Sequence, residues 1–142
     1  MTRSVIAAAP DELAGSIRGV NPGFPAAGRN NNCVNCSIAT DSMLAGRPAS
    51  ALPGNVTPVK VLEEFYGSKF IFMQSSEAIE ESLKAAGPGS RAIIYGDRAM
   101  PGQVNHVFNA VNQKGVIRFL DGQTGQPADL VPYKYVWMLR TN

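Results

Sequence analysis

The stretch Val104-Asn105-His106-Val107-Phe108-Asn109-Ala110-Val111-Asn112-Gln113-Lys114-Gly115-Val116-Ile117-Arg118-Phe119-Leu120-Asp121-Gly122 decides the fold. Two runs rich in β-branched and aromatic residues flank the turn signal Asn112-Gln113-Lys114-Gly115, which predicts a hairpin of strands over residues 104–111 and 116–120. Hairpin strands are antiparallel neighbours, so His106 and Asp121 are brought toward the same end. Alternation along the first strand puts Val104, His106, Phe108 and Ala110 on one face.

Outward from the hairpin, Arg91-Ala92-Ile93-Ile94-Tyr95 reads as a further strand before it and residues 133–139 as another after it. Helical patterns come earlier in the chain. Ile79, Leu83 and Ala86 lie four and three apart in a helix over about residues 76–86, stopped by Gly87-Pro88. Thr57-Pro58 supplies a cap followed by proline ahead of a helix over residues 59–67, and Lys69-Phe70-Ile71-Phe72-Met73 is a strand. A helix beginning near Cys33 carries Val34, Ile38 and Met43-Leu44 at approximately helical spacing, with Ala39 for close packing and Gly46-Arg47-Pro48 as its stop. Pro10 and two acids open a short amphipathic helix over residues 10–18, and the turn-rich residues 21–29 connect it to the asparagine run. Helices first and strands after give an α+β domain, its N-terminal helices packed on an antiparallel sheet.

A chain of 142 residues fits one domain, residues 1–142, large enough for a core without disulfide staples. Hydrophobic content of 44% against 17% charged residues excludes disorder. A net charge of +2, without a Lys/Arg cluster interleaved with aromatics, gives no reason to expect nucleic acid as a partner. No apolar run approaches the roughly 20 residues of a membrane span, so no membrane association is expected, and the first ten residues do not read as a signal peptide.

Chemistry concentrates at Asn30-Asn31-Asn32-Cys33-Val34-Asn35-Cys36, because a single histidine, His106, and then Asp121 follow it. Nucleophile, base and orienting carboxylate in that order point to acyl transfer at a thiol. A thiol is mostly un-ionised at neutral pH, and a helix N-terminus with a nearby imidazolium favours its thiolate. Asp121 at a strand end can accept one imidazole N–H and leave the other nitrogen for the thiol. The backbone N–H of the cysteine with a side-chain amide, Asn32 being the nearest, suits a tetrahedral oxyanion. Gln123 is a candidate for positioning substrate. Two cysteines and one histidine are too few for a four-ligand structural zinc site, and no metal or other cofactor is expected. The order of His and Cys also departs from that of the nucleobase deaminases. Cys33-x-x-Cys36 at a helix start fits a thioredoxin-like dithiol too, although a Pro/Gly/Asn loop stands where that motif expects a strand.

At Asn21-Pro22, Asn32-Cys33-x-x-Cys36, Ala39-Thr40-Asp41, Leu44-Ala45-Gly46-Arg47-Pro48, His106-Val107-Phe108-Asn109 and Phe119-Leu120-Asp121-Gly122-Gln123-Thr124-Gly125, the chain resembles the papain-like fold toxins of bacterial polymorphic toxins, regarded as glutamine deamidases. The resemblance implies a papain-like cysteine hydrolase fold with Cys33 as nucleophile, His106 as base, Asp121 as third residue and Gln123 as a further polar position. Papain-type proteases carry two cysteines three apart and use the second, which keeps Cys36 as the alternative nucleophile. Asn105 stands where many relatives have glycine, which narrows the cleft. The resemblance further implies an effector secreted within a larger polypeptide, acting on a target protein in the recipient cytoplasm and paired with an immunity protein. Proteolysis and transglutamination share the acyl-enzyme step and remain alternatives to deamidation, as does a non-catalytic binding module.

Overall fold

The structure, a computed structural model, describes residues 17–142. All but the last two residues of the helix expected over residues 10–18 lie outside them. Three helices and six strands follow in the order α1 (Cys33–Leu44), α2 (Lys60–Tyr66), β1 (Ile71–Met73), α3 (Ser76–Ala86), β2 (Arg91–Asp97), β3 (His106–Gln113), β4 (Val116–Asp121), β5 (Gln126–Pro127) and β6 (Tyr135–Arg140). The strands form one sheet in the order β1-β6-β2-β3-β4-β5, and every neighbouring pair is antiparallel. Among the described residues no helix is long and apolar enough to cross a membrane.

The hairpin read from the sequence is β3 and β4. Its register closes at Gln113 opposite Val116, leaving Lys114 and Gly115 as a two-residue loop. Both have positive φ, 55° and 95°, the combination whose twist matches a tight antiparallel pair. The Gly115 N–H donates to Asn112 Oδ1 at 2.8 Å and fixes the turn.

Alternation along the strands sends apolar side chains to both faces of the sheet. On one face Ala92, Ile94, Phe108, Ala110, Val136 and Met138 pack against Ile79 and Leu83 of α3. α3 starts where Ser75 accepts from the Ala78 N–H, carries Glu77 in its first turn and Lys84 in its last, and ends at Gly87, so cap and dipole agree. On the opposite face Ile93 and Val107 meet Val34 of α1 and Leu62 of α2. α1 is also covered from its other side, where Cys36 and Ala39 join Ile17, Val20, Val111 and Leu120. A helix buried on two sides needs no strong amphipathic stripe, and each fully buried Ile or Leu around it contributes about 1.5–3 kcal/mol.

Several expectations are corrected. Thr57 does not cap α2: Val59 is the N-cap residue, the chain enters through tight bonds from Val61 N to Pro58 O and Leu62 N to Val59 O, and the Thr57 hydroxyl donates to Asn55 O. Val104 lies outside the strand, which begins at His106, so the alternation does not extend to it; its carbonyl is taken by the Arg98 guanidinium, and it lines the same cleft as His106. Tyr133 precedes the last strand, and its ring packs over Gly96, where any Cβ would overlap it. The short β5, which pairs Pro127 and Gln126 with Leu120 and Asp121, had no pattern to announce it.

Candidate active site

The N-terminus of α1 and one end of the β3–β4 hairpin meet beside a cleft of about 490 Å³, lined by Cys33, His106, Gln123, Tyr95 and Val107 among others. Cys33 is the first residue of α1. No side chain caps that terminus, which leaves its first N–H groups without a side-chain partner. His106 opens β3 and Asp121 closes β4. Because Asn109 pairs with Leu120, the carboxylate stands just past the hairpin's last pair and reaches back to the ring. His106 Nε2 and Asp121 Oδ2 are 2.9 Å apart, each side chain about one-seventh exposed at 13% and 14%. The other carboxylate oxygen accepts the Gln123 N–H at 3.0 Å. With Nε2 turned to the carboxylate, Nδ1 is the nitrogen left for the Cys33 thiol, which lies close enough to influence the ring and lines the same cleft.

Burial pulls the His106 imidazolium toward neutrality, yet hydrogen bonds to Asp121 and Cys33 and the negative charge of both outweigh it. The net effect raises the ring to about 9 from an ordinary 6.5. At neutral pH the imidazole is therefore a cation held between carboxylate and sulfur.

The two cysteines face different surroundings. Cys36 is 1% exposed and packed in the apolar cluster beneath α1. Desolvation, reinforced by the charges of Asp121 and Cys33, pushes its thiol up to about 12. Cys33 is partly exposed and opens onto the cleft. Both thiols are free, and no disulfide joins them.

Asn32 departs from its expected role as oxyanion donor. It is 1% exposed, and its amide N–H groups are engaged by Asn21 Oδ1 at 2.9 Å and Leu52 O at 3.1 Å. The side chain holds up the nucleophile's turn from behind instead of reaching into the cleft. Gln123 does line the cleft; its Nε2 donates to Asn30 O at 3.2 Å while its Oε1 is buried without a protein partner.

Three contributors escaped the sequence reading. Asn21 donates to both Arg29 O at 2.7 Å and Gln123 O at 2.9 Å while accepting from Asn32, tying the cysteine turn to the loop after Asp121. Asn21-Pro22 had stood out in the sequence without a role. Gly122 is a second: a Cβ there would collide with the Thr40 hydroxyl and press on the Cys36 carbonyl, so only glycine lets α1 approach the Asp121 loop so closely. Tyr95 is the third, its hydroxyl accepting from Asn105 Nδ2 at 2.9 Å while Asn105 Oδ1 accepts the Arg98 N–H at 3.1 Å. Asn105 thus forms part of the cleft wall.

A cysteine at a helix N-terminus facing a histidine and a carboxylate on an antiparallel sheet defines the papain-like class of cysteine hydrolase folds. The sequence matches the model of the family described as papain fold toxin 1, glutamine deamidase, over residues 31–126, and the chain belongs to that family. Among solved structures it is similar to the G161 variant of the Salmonella effector SpvD, with a TM-score of 0.63 and 18% identity over 89% of this chain and 75% of that one. That likeness is one of fold. No curated protein matches the sequence.

Proposed function

We propose that this chain is a toxin domain that deamidates glutamine side chains of a target protein through a Cys33 thioester. The observation that carries the reading is the contact of Cys33 with the His106 and Asp121 pair, beside a cleft, in a member of a glutamine deamidase family. Cys33 attacks the carboxamide carbon as the thiolate, its charge balanced by the His106 imidazolium. The tetrahedral oxyanion takes hydrogen bonds from the first N–H groups of α1, with Gln123 positioning the carboxamide. His106 then gives its proton to the departing nitrogen, ammonia leaves, and the thioester remains. The neutral ring next takes a proton from water, whose oxygen attacks the thioester, freeing glutamate and restoring the thiol. Asp121 holds the ring in one orientation throughout and stabilises its cationic form. Cys36 takes no part.

The toxin family supports the wider reading, in which the domain is secreted within a larger polypeptide, acts in the cytoplasm of a recipient cell and is held inactive in the producer by an immunity protein. Mass spectrometry of candidate targets incubated with the wild-type domain and with Cys33→Ala tests the reaction. Glutamine converted to glutamate by the wild type alone supports deamidation. Cleaved chains make the enzyme a protease, and an amine adduct makes it a transglutaminase.

A further inference from the structure

Among the described residues, the sheet face that carries α1 and α2 is not covered to its edge. Register places Phe72 opposite Trp137, Trp137 opposite Tyr95 and Tyr95 opposite Val107, so one row of side chains crosses β1, β6, β2 and β3 on a single face. Its inner members, Val107 and Tyr95, line the cleft that holds Cys33 and His106. Beyond them the rings continue in contact, Tyr95 to Trp137 at 5.4 Å and Trp137 to Phe72 at 5.6 Å, with Tyr135 beside both. Phe72 is 51% exposed and Tyr135 40%. Apolar area of this kind, contiguous and left in water, costs free energy unless something covers it.

We propose that this aromatic row is the docking track for the polypeptide flanking the target glutamine, and that it selects an apolar segment on the order of three extended residues long. The inference rests on the deamidase reading of the cleft. Continuity decides the occupant: a chain whose glutamine reaches Cys33 has to leave the cleft, and Tyr95, which lines it, touches Trp137, which in turn touches Phe72, while Phe70 packs on Tyr95 from beside the row. The two ring-to-ring steps, 5.4 Å from Tyr95 to Trp137 and 5.6 Å from Trp137 to Phe72, together cover about the length of three extended residues at roughly 3.3 Å each.

Peptides with 6-diazo-5-oxo-norleucine, a glutamine analogue that alkylates nucleophilic cysteines, in place of glutamine test this. Each is flanked on one side, before or after the analogue, by Leu-Phe-Leu or by Ser-Gly-Ser, and labelling of Cys33 is followed by mass spectrometry beside labelling by iodoacetamide. With the wild-type protein one placement of Leu-Phe-Leu should label about tenfold faster than its Ser-Gly-Ser counterpart. Trp137→Ala and, should that variant fail to fold, the exposed Phe72→Ser should reduce the ratio toward one while iodoacetamide labelling stays unchanged. Equal labelling by all peptides, or an undiminished ratio in folded Phe72→Ser, overturns the track and leaves the glutamine reading intact. Labelling by iodoacetamide but by none of the peptides overturns both. Equal labelling together with a dimer that Phe72→Ser dissociates assigns the row to a second copy and likewise overturns the proposal.

Discussion

Cys33 and Cys36 lie one turn apart on the same helix, yet they belong to different regions of the molecule. The first turn of α1 looks outward onto the cleft, with His106 and Asp121 opposite; the side that carries Cys36 looks inward onto Leu120, Val111 and Ile17. Asp121, the partner of His106, is among the charges that raise Cys36. The difference lies in the histidine and in water. The His106 ring stands beside Cys33, whereas at Cys36 burial is the largest influence, outweighs the opposing charge of Arg29 and holds the thiol as a neutral, oil-like side chain. Reactivity therefore belongs to the environment that each side of the helix presents.

The sharpest way to break this contrast is to exchange the effects. Cys33→Ala should remove turnover, a loss of roughly 10⁴-fold or more, and leave the far-ultraviolet circular dichroism unchanged. Cys36→Ala should retain turnover and lose about 1–2 kcal/mol of stability in denaturant melts through its cavity in the core. The contrast collapses if iodoacetamide at neutral pH labels Cys36 before Cys33 in the folded protein.

His106→Ala and Asp121→Asn come next. Each should lower turnover by roughly 10³–10⁴-fold, and the double variant should be little worse than His106→Ala because ring and carboxylate act as one unit. Additive losses, measured by ammonia release, would separate them.

A third test uses pH. The departing nitrogen needs the His106 proton, so turnover should fall as pH rises through about 9, and Asp121→Asn should move that limb downward by removing the hydrogen bond and charge that raise the ring. The folded ring binds its proton more tightly than the unfolded one. Its contribution to stability is thus complete below about pH 6.5 and lost as pH climbs through about 9, which melts across that window should register against His106→Gln.

The smallest effects sharpen the packing side of the comparison. Gly122→Ala should cost about 1–3 kcal/mol, because the new methyl collides with Thr40 and forces α1 away from the Asp121 loop. Asn21→Ala should cost about 1–3 kcal/mol by stranding the Asn32 amide and two carbonyls, and should raise KM more than it lowers stability if the Gln123 loop shifts with it.

Local patterns were legible in the sequence wherever a few neighbouring residues decide the outcome. The helix over 76–86, a hairpin turning within residues 112–115 and the start of α1 at Cys33 follow from turn residues and periodicity within one element, although the strand runs on through Asn112 and Gln113 and leaves only Lys114-Gly115 as the loop. Cys33, His106 and Asp121 could be singled out together because one histidine limits the combinations. What was not legible depends on distant partners. Asn32 reads as a free amide until Asn21 and Leu52 fold over it, and the sequence, which favours Cys33 with Cys36 as the alternative, does not reveal that Leu120 and Val111 close over Cys36. The aromatic row is invisible for the same reason: Phe72, Trp137 and Tyr95 become neighbours only through a pairing between β1 and the last strand.

That last pairing also sets an order of events. β6 is an interior strand, flanked by β1 and β2, although it is made after every other element of the sheet. Pairings between residues so far apart in sequence form slowly compared with the local hairpin. A growing chain therefore acquires its thiol early and its His106–Asp121 hairpin later, but its edge strand β1 has nothing to join it to β2 until Tyr135–Arg140 arrives. Synthesis itself delays the assembly of the cleft wall, and a chain halted short of that strand has every reactive group without the framework that aligns them.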